Sequence, residues 1–428
     1  MPSLDEYHSH LDTILYAALM AANPAEALRR HWNPDDLIGA DRIFVVGAGK
    51  AGVAMGEMAA RLIGSRLTGG VIAVPQTTND KRQDVASRLS FVVGGHPQPD
   101  SGSLQAGEAV AQLLADTTDR DLVIALISGG GSALLEKLNP GLTLDDLQTL
   151  NSTLLRSGAP IQEINCVRKH ISQIKGGGLA KMAYPARVVA YILSDVIGDP
   201  LDVIASGPTV PDPTTVEEAR ALLESKISRL WPKSEDFGFL LHLRETPKPG
   251  DPIFDRVTNR LVGSNALARQ AAAEAARGLG FNALLPDVPV QGEARGWWSQ
   301  TSPTFAEVGD FGLPTAWIFG GETTVTMRGA GKGGRNQELV LSAAIALDGS
   351  PQRIAVAALG TDGVDGFSPA AGAMATPESC ARARAIGLDP VAMLNDNDSY
   401  SFFNALGDCI VTGPTGTNVN DLVVVLIY

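Results

Sequence analysis

The sequence predicts an α/β fold in two domains, each a largely parallel or mixed sheet flanked by helices. Three observations carry this. Short apolar runs of strand length alternate with small-residue runs at helical spacing. Glycine-rich loops stand directly after several of the apolar runs, where open α/β sheets bind their ligands. The chain also has 428 residues, more than one core ordinarily organises at roughly 100–200 residues per domain.

Taken in order, the elements follow from spacing. Leu11, Ile14, Leu15, Ala18 and Leu19 recur at helical intervals until Asn23-Pro24 breaks the run. Arg42–Val46 is a buried-strand run, followed by Gly47-Ala-Gly-Lys-Ala-Gly52 and a small-residue helix from Val53 to Ile63. Val71–Val74, Leu122–Ile127 and Arg187–Leu193 read as further strands, the last two ending at Ser128-Gly-Gly-Gly-Ser132 and Ser194-Asp195. Leu230–Pro252 is rich in Pro, Lys, Asp and Glu with little apolar periodicity, and reads as the surface connection between domains. The expected domains are therefore 1–240, Rossmann-like, and 241–428. In the second, Ala266–Leu279 is an Ala-rich helix, and Phe281–Leu285, Ala316–Phe319, Arg353–Ala358 and Leu422–Ile427 are strands.

Composition narrows the function. A net charge of -13 excludes a general nucleic-acid binder, which needs a basic footprint. A mononucleotide site is still allowed, because a few local cations, backbone N–H groups and a divalent metal suffice. Cys166, Cys380 and Cys409 form no C-x-x-C pair, which fits a reducing compartment and neither a disulfide framework nor a zinc site. Met1–His10 lacks an apolar signal region, and no run of about 18 apolar residues marks a membrane span. The expectation is a soluble cytoplasmic protein with no membrane partner.

Gly47-Ala-Gly-Lys-Ala-Gly52 fits G-x-G-x-x-G between strand and helix, the first half of a dinucleotide fingerprint. The second half is a carboxylate at the end of the next strand, which here reads Val74-Pro75-Gln76-Thr77. Lys50 at the helix N-terminus offers a compact anion site instead, and a packed turn with a solvated lysine is the plain alternative. In Ser128-Gly129-Gly130-Gly131-Ser132, uncovered N–H groups and two hydroxyls suit phosphate oxygens; a structural turn or a serine nucleophile are the other readings. Gly331-Lys-Gly333-Gly334-Arg335-Asn336-Gln-Glu338 is a second glycine loop, with Arg335 at a helix N-terminus where an anion is favoured. No Walker A pattern occurs, so an ATP site here has another design.

Carboxylates stand beside glycines at predicted strand ends: Asp195, Glu322 after Gly320-Gly321, and Asp362 and Asp365 in Thr361-Asp-Gly-Val-Asp-Gly366. Phosphoryl transfer needs Mg²⁺, which takes one or two carboxylates plus waters, and a base for the hydroxyl proton. A turn-forming Asp is the base-rate reading of each. Gly95-His96-Pro97 places a histidine in a loop or as a satisfied structural group. Lys169-His170 and Lys175-Gly-Gly-Gly178 add cations that face a substrate carboxylate or solvent.

These motifs, with Asn165-Cys-Val-Arg-Lys-His170, Leu193-Ser-Asp195, Gly320-Gly-Glu-Thr323 and Gly333-Gly-Arg-Asn336, occur in an order that resembles glycerate 2-kinase of the MOFRL type, from about Leu11 to the C-terminus. The resemblance implies ATP- and Mg²⁺-dependent phosphorylation of D-glycerate at the 2-hydroxyl, in a cleft between two α/β domains of a monomer or homodimer. Members of the family also carry a hydroxypyruvate reductase label, so NAD(P)H-dependent reduction is the rival activity. Lys50, Asp195 and Arg335 carry over as active-site residues. Lys50 and Arg335 would hold the substrate carboxylate and the transferring phosphate, and Asp195 would act as base or metal ligand. Ser128–Ser132, Gly333, Gly334 and Asn336 would cradle ATP, with Glu322 or Asp362 helping Asp195 to bind Mg²⁺. Domain closure would exclude water as a competing acceptor.

Overall fold

Among the described residues, six strands build the first sheet: β1 (Ile43–Ala48), β2 (Leu67–Pro75), β3 (Leu89–Gly94), β4 (Leu122–Ile127), β5 (Arg187–Leu193) and β6 (Val257–Gly263). In the computed structural model, which describes residues 3–76, 88–227, 237–308 and 314–428, every residue of β1 and β4 is buried. Near-continuous apolar strands are what a parallel sheet covered on both faces requires. The order is β3-β2-β1-β4-β5-β6, and the pairs β2–β3, β1–β2, β1–β4 and β4–β5 are parallel. Val46, Ile127 and Ile192 belong to one continuous core of this sheet. The strand order reverses between β1 and β4, which makes their C-terminal ends the switch point where such sheets bind ligands.

The second sheet holds β7 (Asn282–Leu284), β8 (Val290–Glu293), β9 (Thr315–Thr324), β10 (Ile354–Gly360), β11 (Gly372–Ala375), β12 (Cys409–Ile410) and β13 (Asp421–Ile427). Its order is β12-β11-β10-β13-β9-β7, with β8 beside β9. β13 runs antiparallel to both neighbours, β10 and β9, while β7 and β8 are parallel to β9. Aromatic anchors fill its core, with Trp297 edge-on to Phe319 at 5.3 Å between ring centroids. The expectation of largely parallel or mixed sheets is met, with the structure assigning the parallel pairs to the first sheet and the mixed pairing to the second.

The compact units run 27–262, and 1–26 with 263–428, whereas the expected boundary was 240/241. Two features explain the difference. Helix Leu4–Ala22, capped by Ser3 accepting from the Glu6 N–H, buries Leu11, Ile14, Leu15 and Ala18 and packs on helix Asn265–Gly278 in the second unit. The presumed connection also stays with the first unit: the His242 ring meets the Pro140 carbonyl at 2.8 Å, and the Arg244 N–H donates to the His170 carbonyl at 2.9 Å. β6 then adds to the first sheet before the chain leaves it. Residues 228–236 of that stretch, and Thr77 at the end of the predicted second strand, lie outside the described residues. No helix among the described residues is long and apolar enough to cross a membrane.

Candidate active site

The loops after β1 and β4 are stitched together at the switch point. The Ser128 N–H donates to the Ala48 carbonyl at 3.0 Å and the Lys50 N–H to the Gly129 carbonyl at 2.9 Å. Ser128 Oγ accepts from the Ala51 N–H at 3.1 Å, supplying the cap that helix Gly52–Ile63 lacks from its own N-terminal side chain. The glycines permit this closeness. A Cβ on Gly47 would lie 2.6 Å from the Leu126 carbonyl oxygen, one on Gly52 2.9 Å from Ile72, and one on Gly49 (φ +138°) would overlap Ser128. The G-x-G-x-x-G pattern is thus accounted for by packing of β1 and its helix onto β4 and β2.

What this packing leaves outward is Lys50, whose side chain is exposed. Its stem lies beside Gly130, as does the His96 ring: a Cβ on Gly130 (φ +81°) would be 3.0 Å from His96 Nε2 and 3.5 Å from Lys50 Cγ. Burial and then the Lys50 charge hold the His96 imidazole below its ordinary pKa. The half-buried Asp195 reaches the same loop from β5, with its carboxylate against Gly129. Lys50, His96 and Asp195 therefore gather around Gly129-Gly130. Ser128, expected to donate to phosphate, is 1% exposed and committed to Ala51. Ser132 is half-buried and bonds Ser206 Oγ at 2.8 Å. The cations Lys169 and Lys175 do not face solvent: Lys169 pairs with Asp212 at 3.2 Å, Lys175 pairs with Glu136, and all four are buried. His170 is fully buried against the Cys166 carbonyl and Glu245.

The second glycine loop is organised around Arg335. Its Nε and NH2 donate to Asp421 Oδ2 and Oδ1 at 2.5 and 2.9 Å, and its NH1 to Glu322 Oε1 at 2.7 Å. Burial works against the guanidinium charge, but Asp421 and then Glu322 outweigh it and hold the pKa above the ordinary value. Asp421 is 1% exposed and was not among the predicted residues. The register explains how it arrives: at the start of antiparallel β13 it pairs with Gly321 of β9 and Gly360 of β10. β9 itself continues to Thr324, so Glu322 stands on a strand rather than in a loop.

Other expectations in this loop shift. Asn336 is buried, and it donates from N–H and Nδ2 to Asp365 Oδ1 at 3.1 and 3.3 Å, while the Gln337 N–H donates to Asp365 Oδ2 at 2.8 Å. Asp365 thus caps helix Arg335–Leu347 from a distant turn, and Asn336 is spent on that cap rather than turned to a ligand. The N–H groups of Arg328–Lys332 are taken by Asp396, Asn397 and Asp398, leaving Gly333 and Gly334 outside that set. Gly333, Gly334 and Arg335 line a cavity of about 430 Å³ together with Glu322, Met327 and Phe367. Asp362 accepts from the Val364 N–H at 3.1 Å within its own turn. No group of three or more His, Cys, Asp or Glu side chains among the described residues is placed to hold a metal.

Residues 10–234 match a domain of unknown function, DUF4147, and residues 315–421 match the MOFRL family. A D-glycerate 2-kinase of Thermotoga maritima is 40% identical over 90% of this chain and 91% of its own. A protein of Agrobacterium vitis carrying a hydroxypyruvate reductase label is 41% identical over 97% of this chain and 94% of its own. The solved glycerate kinase of Thermotoga maritima superposes with a TM-score of 0.89 at 38% identity, covering 99% of this chain and 100% of that one.

Proposed function

The chain belongs to the glycerate kinase family whose members carry a MOFRL domain, and from that premise we propose that it transfers the γ-phosphoryl group of ATP to the 2-hydroxyl of D-glycerate. The observation that carries this reading is the pairing of an exposed cation with a half-buried carboxylate, Lys50 and Asp195, on one glycine edge at the switch point. Asp195 accepts the proton of the 2-hydroxyl as its oxygen bonds to phosphorus, and the bond to the ADP oxygen breaks. Lys50 stabilises the charge on the transferring group. Such fixed cations act in the transition state without having to reorganise. In its own unit Gly129–Gly131 offer close backbone approach; in the other unit Arg335, aligned by Asp421 and Glu322 beside Gly333 and Gly334, is a cation suited to phosphate oxygens.

The oxygen donors present suit Mg²⁺, which takes one or two carboxylates together with the substrate's own phosphates and so needs no preformed cluster. Asp195 fits that role, or the role of base. Glu322 and Asp362 already hold Arg335 and the Val364 N–H. When bound, Mg²⁺ would neutralise charge on the nucleotide phosphates. The test is ADP formation by the purified protein with ATP, Mg²⁺ and D-glycerate, run beside NADH oxidation with hydroxypyruvate. Glycerate-dependent ADP formation that stops with EDTA and returns with Mg²⁺ is expected. NADH oxidation without ADP formation would overturn the reading.

A further inference from the structure

Behind Gly130 and Ser132 lies a cavity of about 170 Å³ that the reaction as described leaves unused. Its walls include His96, Asn151, Arg168 and the buried pair Lys175–Glu136. That pair is neutral in sum, with Ser172 Oγ donating to Glu136 Oε1 at 2.5 Å. Arg168 is different. It projects from helix Ile161–His170 and is half-buried, and among the described residues its hydrogen-bond partner is the neutral Asn151, whose Oδ1 accepts from Nε at 2.7 Å. Among the described residues no carboxylate stands in an ion pair with Arg168, although the Glu136 charge acts on it from across the cavity. A guanidinium carries five N–H donors in a planar fork, and burying such a charge is costly unless an anion meets it.

We infer that this cavity receives the carboxylate of the acceptor, with the terminal nitrogens of Arg168 as its bidentate partner and Asn151 as the residue that positions the guanidinium. The observations agree on this. The cavity is small, which suits a three-carbon acid. Its charge is positive once the Lys175–Glu136 pair is discounted. Its wall at Gly130 and His96 is the same edge on which the stem of Lys50 lies. An acid seated on Arg168 would present its neighbouring hydroxyl toward that edge. Arg168 thereby selects hydroxy acids over neutral polyols, since planar bidentate geometry distinguishes a carboxylate from a hydroxymethyl group. Burial also holds the Arg168 pKa below the ordinary guanidinium value, against the opposing Glu136 charge, and a bound carboxylate would relieve that cost.

This inference rests on the acceptor being a hydroxy acid, and its test separates the two claims. D-glycerate and glycerol are titrated into wild-type protein and into Arg168→Met, Arg168→Lys and Asn151→Ala by calorimetry, beside steady-state kinetics and melting curves. D-glycerate, and not glycerol, is expected to bind wild type. Arg168→Met should raise KM for D-glycerate roughly 100-fold, the scale of a lost charge-assisted pair, with the KM for ATP unchanged. Arg168→Lys should recover part of that loss, and Asn151→Ala should raise KM for D-glycerate with little change in kcat. A folded Arg168→Met protein with wild-type KM and wild-type binding overturns the inference while leaving the reaction intact. Arg168-dependent binding of D-glycerate without ADP formation supports the pocket and overturns the reaction. Failure of wild type to bind D-glycerate overturns the pocket.

Discussion

The two glycine-rich loops carry the same sequence signature, a cation among glycines before a helix, and the fold uses them differently. After β1, the glycines bring backbone against backbone, and Lys50 is left exposed with its main-chain N–H on Gly129. Before helix Arg335–Leu347, the cation is locked: Arg335 is held by Asp421 and Glu322, and the adjoining loop N–H groups are taken by Asp396, Asn397 and Asp398. One loop presents a charge and the other ties one down. The difference follows from the partners each sheet supplies. Asp195 reaches the first loop from a parallel strand end and lies against Gly129. Asp421 reaches the second from the start of an antiparallel strand and is buried against Arg335.

That contrast can be broken by experiment, beginning where the largest effect is expected. Lys50→Ala should lower kcat by on the order of 10²–10³, the cost of removing one preorganised donor. Stability should stay within about 0.5 kcal/mol, because an exposed lysine contributes little to it. Lys50→Arg should rescue only in part, since a planar guanidinium does not reproduce a compact ammonium. A folded, fully active Lys50→Ala enzyme would show that the exposed cation is an ordinary surface lysine.

The second loop should respond in the opposite sense, through stability as well as rate. Asp421→Ala leaves Arg335 with Glu322 as its remaining carboxylate. The expected cost in urea unfolding is about 2–3 kcal/mol, below the roughly 3–5 kcal/mol for breaking a fully buried pair, because the Arg335 side chain keeps 34% exposure. Equal stability of wild type and variant would mean that Arg335 is not tied down and that the two loops are alike.

The smallest effect sharpens the geometry of the first loop. His96 titrates below its ordinary value through burial first and the Lys50 charge second. Replacing Lys50 with Met removes the second cause, so the imidazole pKa should rise and yet remain below the ordinary value. At a pH between the two values, a larger fraction of His96 is then protonated in the variant than in wild type. An NMR titration of the ring protons measures this, and an unmoved His96 would place the Lys50 ammonium away from Gly130.

Sequence by itself determined the strands of the parallel sheet and the residues at their ends. Leu122–Ile127 and Arg187–Leu193 stand where the apolar runs predict them. In a parallel sheet every strand delivers its C-terminus to one edge, so Lys50, Gly129, Gly130 and Asp195 were each legible as strand-end candidates from local pattern. Tertiary structure decided what local pattern does not encode. Asp421 opens β13 and joins Gly321 and Gly360 only because that strand runs antiparallel between β9 and β10. Ser128 and Asn336 carry polar groups suited to a ligand, but Ser128 Oγ accepts from the Ala51 N–H and Asn336 Nδ2 donates to Asp365, which caps the helix. Lys169 and Lys175 are neutralised by Asp212 and Glu136, which lie 43 and 39 residues away in the chain. The N-terminal helix joins the second unit because its apolar face finds helix Asn265–Gly278 there. A residue type and its neighbours state which bonds a side chain can make. Which of those bonds it does make depends on groups brought together by strand direction and long-range packing, and those are properties of the folded chain.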